Sequence, residues 1–371
     1  MEDDNVILSI SDLETPFQTP DPFLFCVYHN DHFPSGNERM EAPRKGNGAD
    51  FSGKDGYSMY HGNSIPGFPQ HPHRGFETIT CAMTGIVDHA DSLGNAGRYG
   101  NGDLQWMTAG SGVVHSEMFP LINQSRPNTL RLYQIWLNLP KQNKMSSPDF
   151  KMHWAEDISN VISEAVDCSS NIMNYKVNVW AGEFEGKKAL DPPSNSWAAE
   201  PENFVLILGI ELYSCNGAEV TIPGVPTSSS GQKDELNQNK INRALYYVEG
   251  TGSIVINGSK IVKKKSTLML DATKEVRISR LKESANNVNG DPKPKEPIVC
   301  LLLQGRPINE KIVKHGPFVM NSSEEIQQSF RDYQDTKFGG WPWPENGVVF
   351  PREKGRFAKT GGNESEERPI Q

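Results

Sequence analysis

His71 and His73 flank Pro72, and further along His115 and Glu117 flank Ser116. Each is a pair of chelating side chains at i, i+2. A helix would swing the second member well away from the first, whereas an extended strand returns both to one face. Two such strands facing each other bring three imidazoles and a carboxylate to one point, an arrangement with little use other than holding a metal ion. The chain is thereby constrained to a β architecture that joins these two stretches.

The surrounding sequence agrees. Short runs at 76–83, 86–90, 104–107 and 113–115 are separated by the turn signals Thr84-Gly85, Leu93-Gly94-Asn95, Asn101-Gly102-Asp103 and Ala109-Gly110-Ser111-Gly112. Strands this short and turns this frequent point to an all-β sandwich or barrel. A further strand at 131–139 ends at Pro140. A second β-rich half begins near Tyr175, with strands expected at 177–184, 204–212, 244–250, 252–257, 267–270, 276–281 and 298–303. Ser322-Ser-Glu-Glu325 is a capping box opening a short helix with Ile326, Phe330 and Tyr333 on one face, stopped by Gly339-Gly340. The expected organisation is a first domain at 1–140, a polar irregular linker at 141–174, a second domain at 175–320, and a helix with an extended tail at 321–371. The Trp341-Pro-Trp-Pro stretch reads as a packed arm and the last dozen residues as a disordered tail. Runs at 227–242 and 283–297 read as surface insertions, too poor in apolar residues to order themselves.

The 371 residues are 36% hydrophobic, enough for real cores, and carry a formal charge of −9, which argues against direct nucleic-acid binding. The five cysteines are scattered without C-x-x-C spacing and read as free thiols in a reducing compartment. Neither an apolar signal core nor a membrane-length apolar run is present. These features predict a soluble cytoplasmic protein without membrane contact, the nucleus being the other compartment to consider.

No cysteine stands among the candidate ligands, which argues against a structural thiolate zinc site. Three histidines and one carboxylate fill four positions of an octahedron and leave two for dioxygen, water or a chelating substrate. This favours iron(II), although manganese, nickel, copper, cobalt and zinc fit the same donors. Glu77, four residues after His73, rivals Glu117 as the fourth ligand. Asp88-His89-Ala-Asp91 reads as a solvated hairpin in preference to a second ion site, and His29 and His32 as residues that line or cover something. Between Glu117 and His315 the only histidine is His153. One metal is therefore expected, in the first half.

Five motifs, His71-Pro-His-Arg-Gly-Phe-Glu-Thr78, Gly102-Asp-Leu-Gln-Trp-Met-Thr-Ala-Gly110, Val114-His-Ser-Glu-Met118, Leu132-Tyr-Gln-Ile-Trp-Leu-Asn-Leu-Pro140 and His315-Gly-Pro-Phe-Val-Met-Asn321, closely resemble the pirin family. The match spans most of residues 20–338. The resemblance implies a bicupin, two β-barrels with iron in the N-terminal one, and the ligands His71, His73, His115 and Glu117 in preference to Glu77. Some pirin-like proteins are quercetin 2,3-dioxygenases. For this chain that implies a small aromatic flavonol and dioxygen as substrates. On that reading Glu117 is the nearest base, and Arg74, Phe76 and Gln134 are candidates for pocket wall or supports of the ligands, with ordinary barrel packing or a surface pair as the equal alternative for each. Others are nuclear proteins that bind transcription regulators. The alternative is thus a non-catalytic iron protein whose redox state a protein partner senses at a surface near Arg74. The two insertions and the long tail exceed the shorter family members.

Overall fold

The computed structural model describes residues 6–43, 50–167, 170–213, 219–226, 240–263, 265–281, 296–361 and 366–369. The chain forms two compact units that interleave along the sequence. One is built from Met1–Phe23, Ile158–Asp191 and Glu200–Pro307, the other from Leu24–Asp157, Pro192–Ala199 and Ile308–Gln371.

In the first unit a seven-stranded sheet runs in the order Ile7–Asp12, Ser266–Asp271, Asn242–Glu249, Ile298–Gly305, Leu206–Leu212, Ser170–Ala181 and Asn160–Asp167. A four-stranded sheet of Glu219–Ile222, Val276–Arg280, Ile254–Ile256 and Lys260–Val262 accompanies it. Alternating positions of the two sheets, among them Val177, Leu208, Ile210, Leu245, Ile254, Ile278 and Leu302, close into one apolar core. The first strand joins this unit because Ile10 lies opposite Leu268 in an antiparallel pairing of great sequence separation. All nine histidines of the chain fall in the other unit. An interior of hydrocarbon without one imidazole offers no repeat of the His-x-His constellation.

The second unit holds two five-stranded sheets. One runs Asp149–His153, Leu104–Thr108, Phe76–Thr84, Asn128–Asn138 and Phe23–Phe33; the other runs Phe357–Lys359, Ala96–Gly100, Ile86–Asp91, Val113–Met118 and Gly67–His73. Their inner faces meet, since Thr80 of one sheet hydrogen-bonds Glu117 of the other and Phe150 stacks on His89. The stretch 141–174, read from sequence as an irregular linker, carries the strands Asp149–His153 and Asn160–Asp167 and the start of Ser170–Ala181. The first two are edge strands of their sheets. Their mixed polar composition suits a position paired on one side only, and that is what hid them.

The helix Ser323–Thr336 starts at the expected capping box, with the Ser322 hydroxyl accepting from the Glu325 N–H and the Glu325 carboxylate accepting from the Ser322 N–H. It ends sooner than the paired glycines predict, at Lys337 in a left-handed conformation, and Gly339-Gly340 close the 3-10 turn that follows. Part of the tail expected to be disordered is tied down. Ala358 bridges Glu367, and the Lys354 ammonium contacts the Glu366 carboxylate at 2.5 Å. The predicted insertions at 227–242 and 283–297 lie mostly outside the described residues, although Asn242 begins a strand of the seven-stranded sheet. No helix among the described residues is long and apolar enough to cross a membrane.

Candidate metal centre

Gly67–His73 and Val113–Met118 pair antiparallel with His71 directly opposite His115. Strand alternation then sends His73 to the face of His71, and Glu117 to that of His115. The ring centroids stand 4.8 Å apart for His71 and His73, 4.5 Å for His71 and His115, and 5.0 Å for His73 and His115. One ring nitrogen from each of the three lies within 4.8 Å of those of the other two. Burial lowers all three basicities, that of His71 to about 4 and those of His73 and His115 well below the usual imidazole value. The rings are therefore neutral near pH 7, the form that binds a cation. His71 Nδ1 donates to the Pro69 carbonyl at 2.9 Å, which leaves Nε2 as its lone-pair donor.

Both ring nitrogens of His115 are buried without a hydrogen-bond partner among the described residues. An orphaned buried nitrogen costs roughly 1–3 kcal/mol. Clustering such atoms makes sense where a cation uses their lone pairs. The donor set, three neutral imidazoles beside a carboxylate and no thiolate, fits a first-row divalent ion.

Glu117 stands at the edge of this cluster, with Oε2 3.9 Å from His115 Nε2. Thr80 Oγ1 lies 3.1 Å from Glu117 Oε1 and 2.7 Å from Gln134 Oε1. A hydroxyl has one proton, so it serves one of these acceptors at a time. Turning the Gln134 amide to present its NH2 group lets Thr80 donate to the carboxylate and hold Oε1 back, leaving Oε2 toward the histidines. Gln134 thus acts on Glu117 through Thr80, its direct neighbour across the sheet.

Phe76 packs on His73 at 5.1 Å and on Trp136 at 4.4 Å, and Trp136 itself lies 5.4 Å from His73. Phe68 flanks His71 at 6.2 Å on the other side. Thr80, Trp136 and Phe68 were not singled out from sequence. For Thr80 and Trp136 a signal was available, because they share strand faces with Phe76 and Gln134 respectively.

Arg74 turns away from the cluster. Its Nη1 meets Asp332 at 2.6 Å, its Nε donates to the Ser111 carbonyl at 2.7 Å, and its guanidinium covers the Phe338 ring. It is buried against the C-terminal helix and forms neither a pocket wall nor a surface charge. The reason is parity: a residue adjacent to a ligand on a strand points to the opposite side.

Glu77 likewise lies on the other face from Phe76 and Thr80. It accepts from Thr108 Oγ1 at 2.6 Å and from Ser196 Oγ at 2.5 Å. Burial, only partly offset by these donors, raises its pKa to about 7. The linkage sign follows directly. Between the ordinary 4.5 and about 7 the folded protein binds more protons than the unfolded chain, so stability falls as pH rises through that window. The full penalty is about 3 kcal/mol above it. Glu77→Gln should therefore gain stability relative to wild type by about that amount between pH 5 and pH 8. Urea unfolding across this range checks it, and a pH-independent difference would refute it.

His89, read from sequence as part of a solvated hairpin, is completely buried. It pairs across from Glu117, its ring is 5.4 Å from His115, and Phe150 covers it at 5.2 Å. The cover comes from the strand Asp149–His153, which was taken for linker.

Comparison with known proteins places these observations. The Pirin family profile matches residues 17–137, and that of the Pirin C-terminal cupin domain matches residues 227–339. A pirin-like protein of Solanum lycopersicum is 33% identical over 273 residues, 74% of this chain and 77% of that protein. Pirin-1 of Arabidopsis thaliana is 32% identical over 287 residues, 74% and 78% respectively. A Pseudomonas aeruginosa protein, whose name assigns it quercetin 2,3-dioxygenase activity only provisionally, is 32% identical over 276 residues, 73% and 80%. The crystal structure of a quercetin 2,3-dioxygenase from Acinetobacter baumannii superposes with a TM-score of 0.62 at 23% identity, over 90% of this chain and 98% of that one, a likeness of fold.

Proposed function

The chain belongs to the pirin family, and we propose on that premise that it is an iron(II)-dependent dioxygenase that opens a flavonol such as quercetin, or a similar chelating aromatic. The observation that carries this reading is the convergence of His71, His73 and His115 as neutral, buried donors. The provisional name of the Pseudomonas relative supports the substrate class.

In this reading His71, His73 and His115 hold the ion with Glu117 as fourth ligand. When bound, the ion supplies Lewis-acid polarisation of the chelating oxygens and the electronic chemistry toward dioxygen. The remaining work belongs to the chain. Thr80, backed by Gln134, restrains Glu117 Oε1, so Oε2 is the atom available to take the proton of the substrate hydroxyl. Phe68, Phe76 and Trp136 offer ring faces and edges to a flat aromatic ligand and exclude water beside the histidines. The redox-sensing alternative draws no support from Arg74, whose charge is spent on Asp332.

The test is aerobic incubation of iron-loaded protein with quercetin, with iron content measured on the same sample. Loss of the flavonol absorbance in proportion to iron is expected. Full iron occupancy without consumption of quercetin refutes the catalytic reading.

A further inference from the structure

Tyr60 has a backbone φ of 51°. A bulky aromatic residue rarely adopts this left-handed conformation, and it persists only where the surroundings fix it. Here they do. The Tyr60 hydroxyl donates to Asp31 Oδ2 at 2.6 Å, while Asp31 Oδ1 accepts the Ser58 N–H at 2.7 Å. Its ring packs against Phe51, Phe68 and Phe119. The phenol has given its single proton to Asp31, so toward His29 Nδ1, with which it is also hydrogen-bonded, it can only accept. His29 must then carry its proton on Nδ1. Burial keeps the ring neutral, lowering its pKa to about 4. The Nε2 lone pair is thereby fixed as an acceptor.

Two chains of ring contacts lead from the strand of His29 to the histidine cluster. On the strand Phe23–Phe33, alternation puts Phe25, His29 and Asp31 on one face. Phe25 packs on Trp136 at 4.8 Å, and Trp136 packs on His73. On the other side the His29 ring lies 6.4 Å from Phe68, whose ring lies 6.2 Å from His71. A flat ligand gripping an ion at the cluster and lying along Phe68 would bring its far edge toward His29.

We propose that His29 Nε2 is a second recognition point, accepting a hydrogen bond from a phenolic hydroxyl of the ligand remote from its chelating end, with Tyr60 and Asp31 holding the tautomer that makes it an acceptor. The site selects a hydroxylated flat aromatic over the same skeleton without that hydroxyl. It rests on the chelating-aromatic reading above and adds to it a specificity residue that coordinates nothing.

The experiment is a binding titration of iron(II)-loaded protein under argon, where no turnover occurs. It compares quercetin with 3-hydroxyflavone, which keeps the chelating hydroxyl and carbonyl and lacks the other hydroxyls. Wild type should bind quercetin the more tightly. His29→Phe preserves an aromatic ring among aromatic neighbours and removes the acceptor. It should weaken quercetin about tenfold, the size of one buried hydrogen bond, and leave 3-hydroxyflavone unchanged. His29→Gln, whose amide oxygen can reach the place of Nε2, should retain most of the preference. Equal weakening of both ligands, or of neither, overturns the assignment of His29. If His29→Phe does not fold, Tyr60→Phe replaces it: the unlocked tautomer should shrink the preference, and an unaltered preference overturns the assignment. Failure of iron-loaded wild type to bind either ligand overturns the chelating-aromatic reading itself, and this inference with it.

Discussion

Replacing His71 by alanine should strip the protein of its divalent ion and abolish flavonol consumption. His71 stands opposite His115 and beside His73, so its loss leaves a pair of imidazoles and one carboxylate that Thr80 holds back. Altering groups that merely orient ligands costs roughly 10–100-fold in metal affinity. Removing a ligand should exceed about 100-fold on that scale. Metal content after dialysis and competition with a coloured chelator measure the loss directly, independent of any substrate. Glu77→Gln is the matched control, because that carboxylate lies on the outer face of its strand among Thr108 and Ser196 and should leave the ion in place. Retention of the ion by His71→Ala, or its loss in Glu77→Gln, would refute the ligand assignment.

The three-histidine cluster was legible in the sequence because of the period of two along a strand. His-x-His and His-x-Glu declare their own faces once extended structure is granted, and the dense turn signals granted it. The same rule was available for Arg74, which follows His73 directly and for that reason cannot share its face. The choice between Glu77 and Glu117 needed more. Parity separates Glu77 from Phe76 and Thr80 but does not say which face looks inward. The Thr80–Glu117 hydrogen bond across the sheets marks the face of Phe76 and Thr80 as the inner one. Gln134 and Thr80 became linked through a register that no local signal encodes.

Two further misreadings come from edge position. Edge strands need apolar residues on fewer sides, so Asp149–His153 and Asn160–Asp167 look like linker. Missing the first of these removed the Phe150 cover from His89 and made a buried ring look solvated. The strand Ile7–Asp12 finds its partner at Ser266–Asp271, across most of the chain, where sequence patterning gives no guide.

Arg98→Met should be among the most destabilising single substitutions in this protein, at about 3–5 kcal/mol. Arg98 is buried and uses all five of its N–H groups. Nε and Nη2 meet the two Asp88 oxygens at 2.7 Å and 2.8 Å. Nη1 donates to the Pro351 and Lys354 carbonyls, and Nη2 also donates to that of Phe350. Methionine fills similar space and supplies none of these. Asp88 would remain enclosed with only the Phe350 N–H to satisfy it, a carboxylate deprived of its counter-charge where water does not reach. Arg98→Lys should rescue little, since an ammonium has three protons and lacks the planar fork that reaches both carboxylate oxygens and the tail together. The double variant Asp88→Leu/Arg98→Met should recover much of the loss, because the cost of the single change is chiefly the stranded charge. Urea unfolding of the three variants checks this order. A proteolysis series should show faster cleavage near residue 351 in Arg98→Met, whose tail has lost three carbonyl anchors. A double variant as unstable as the single one would mean that the carbonyl contacts, and not the ion pair, carry the stabilisation.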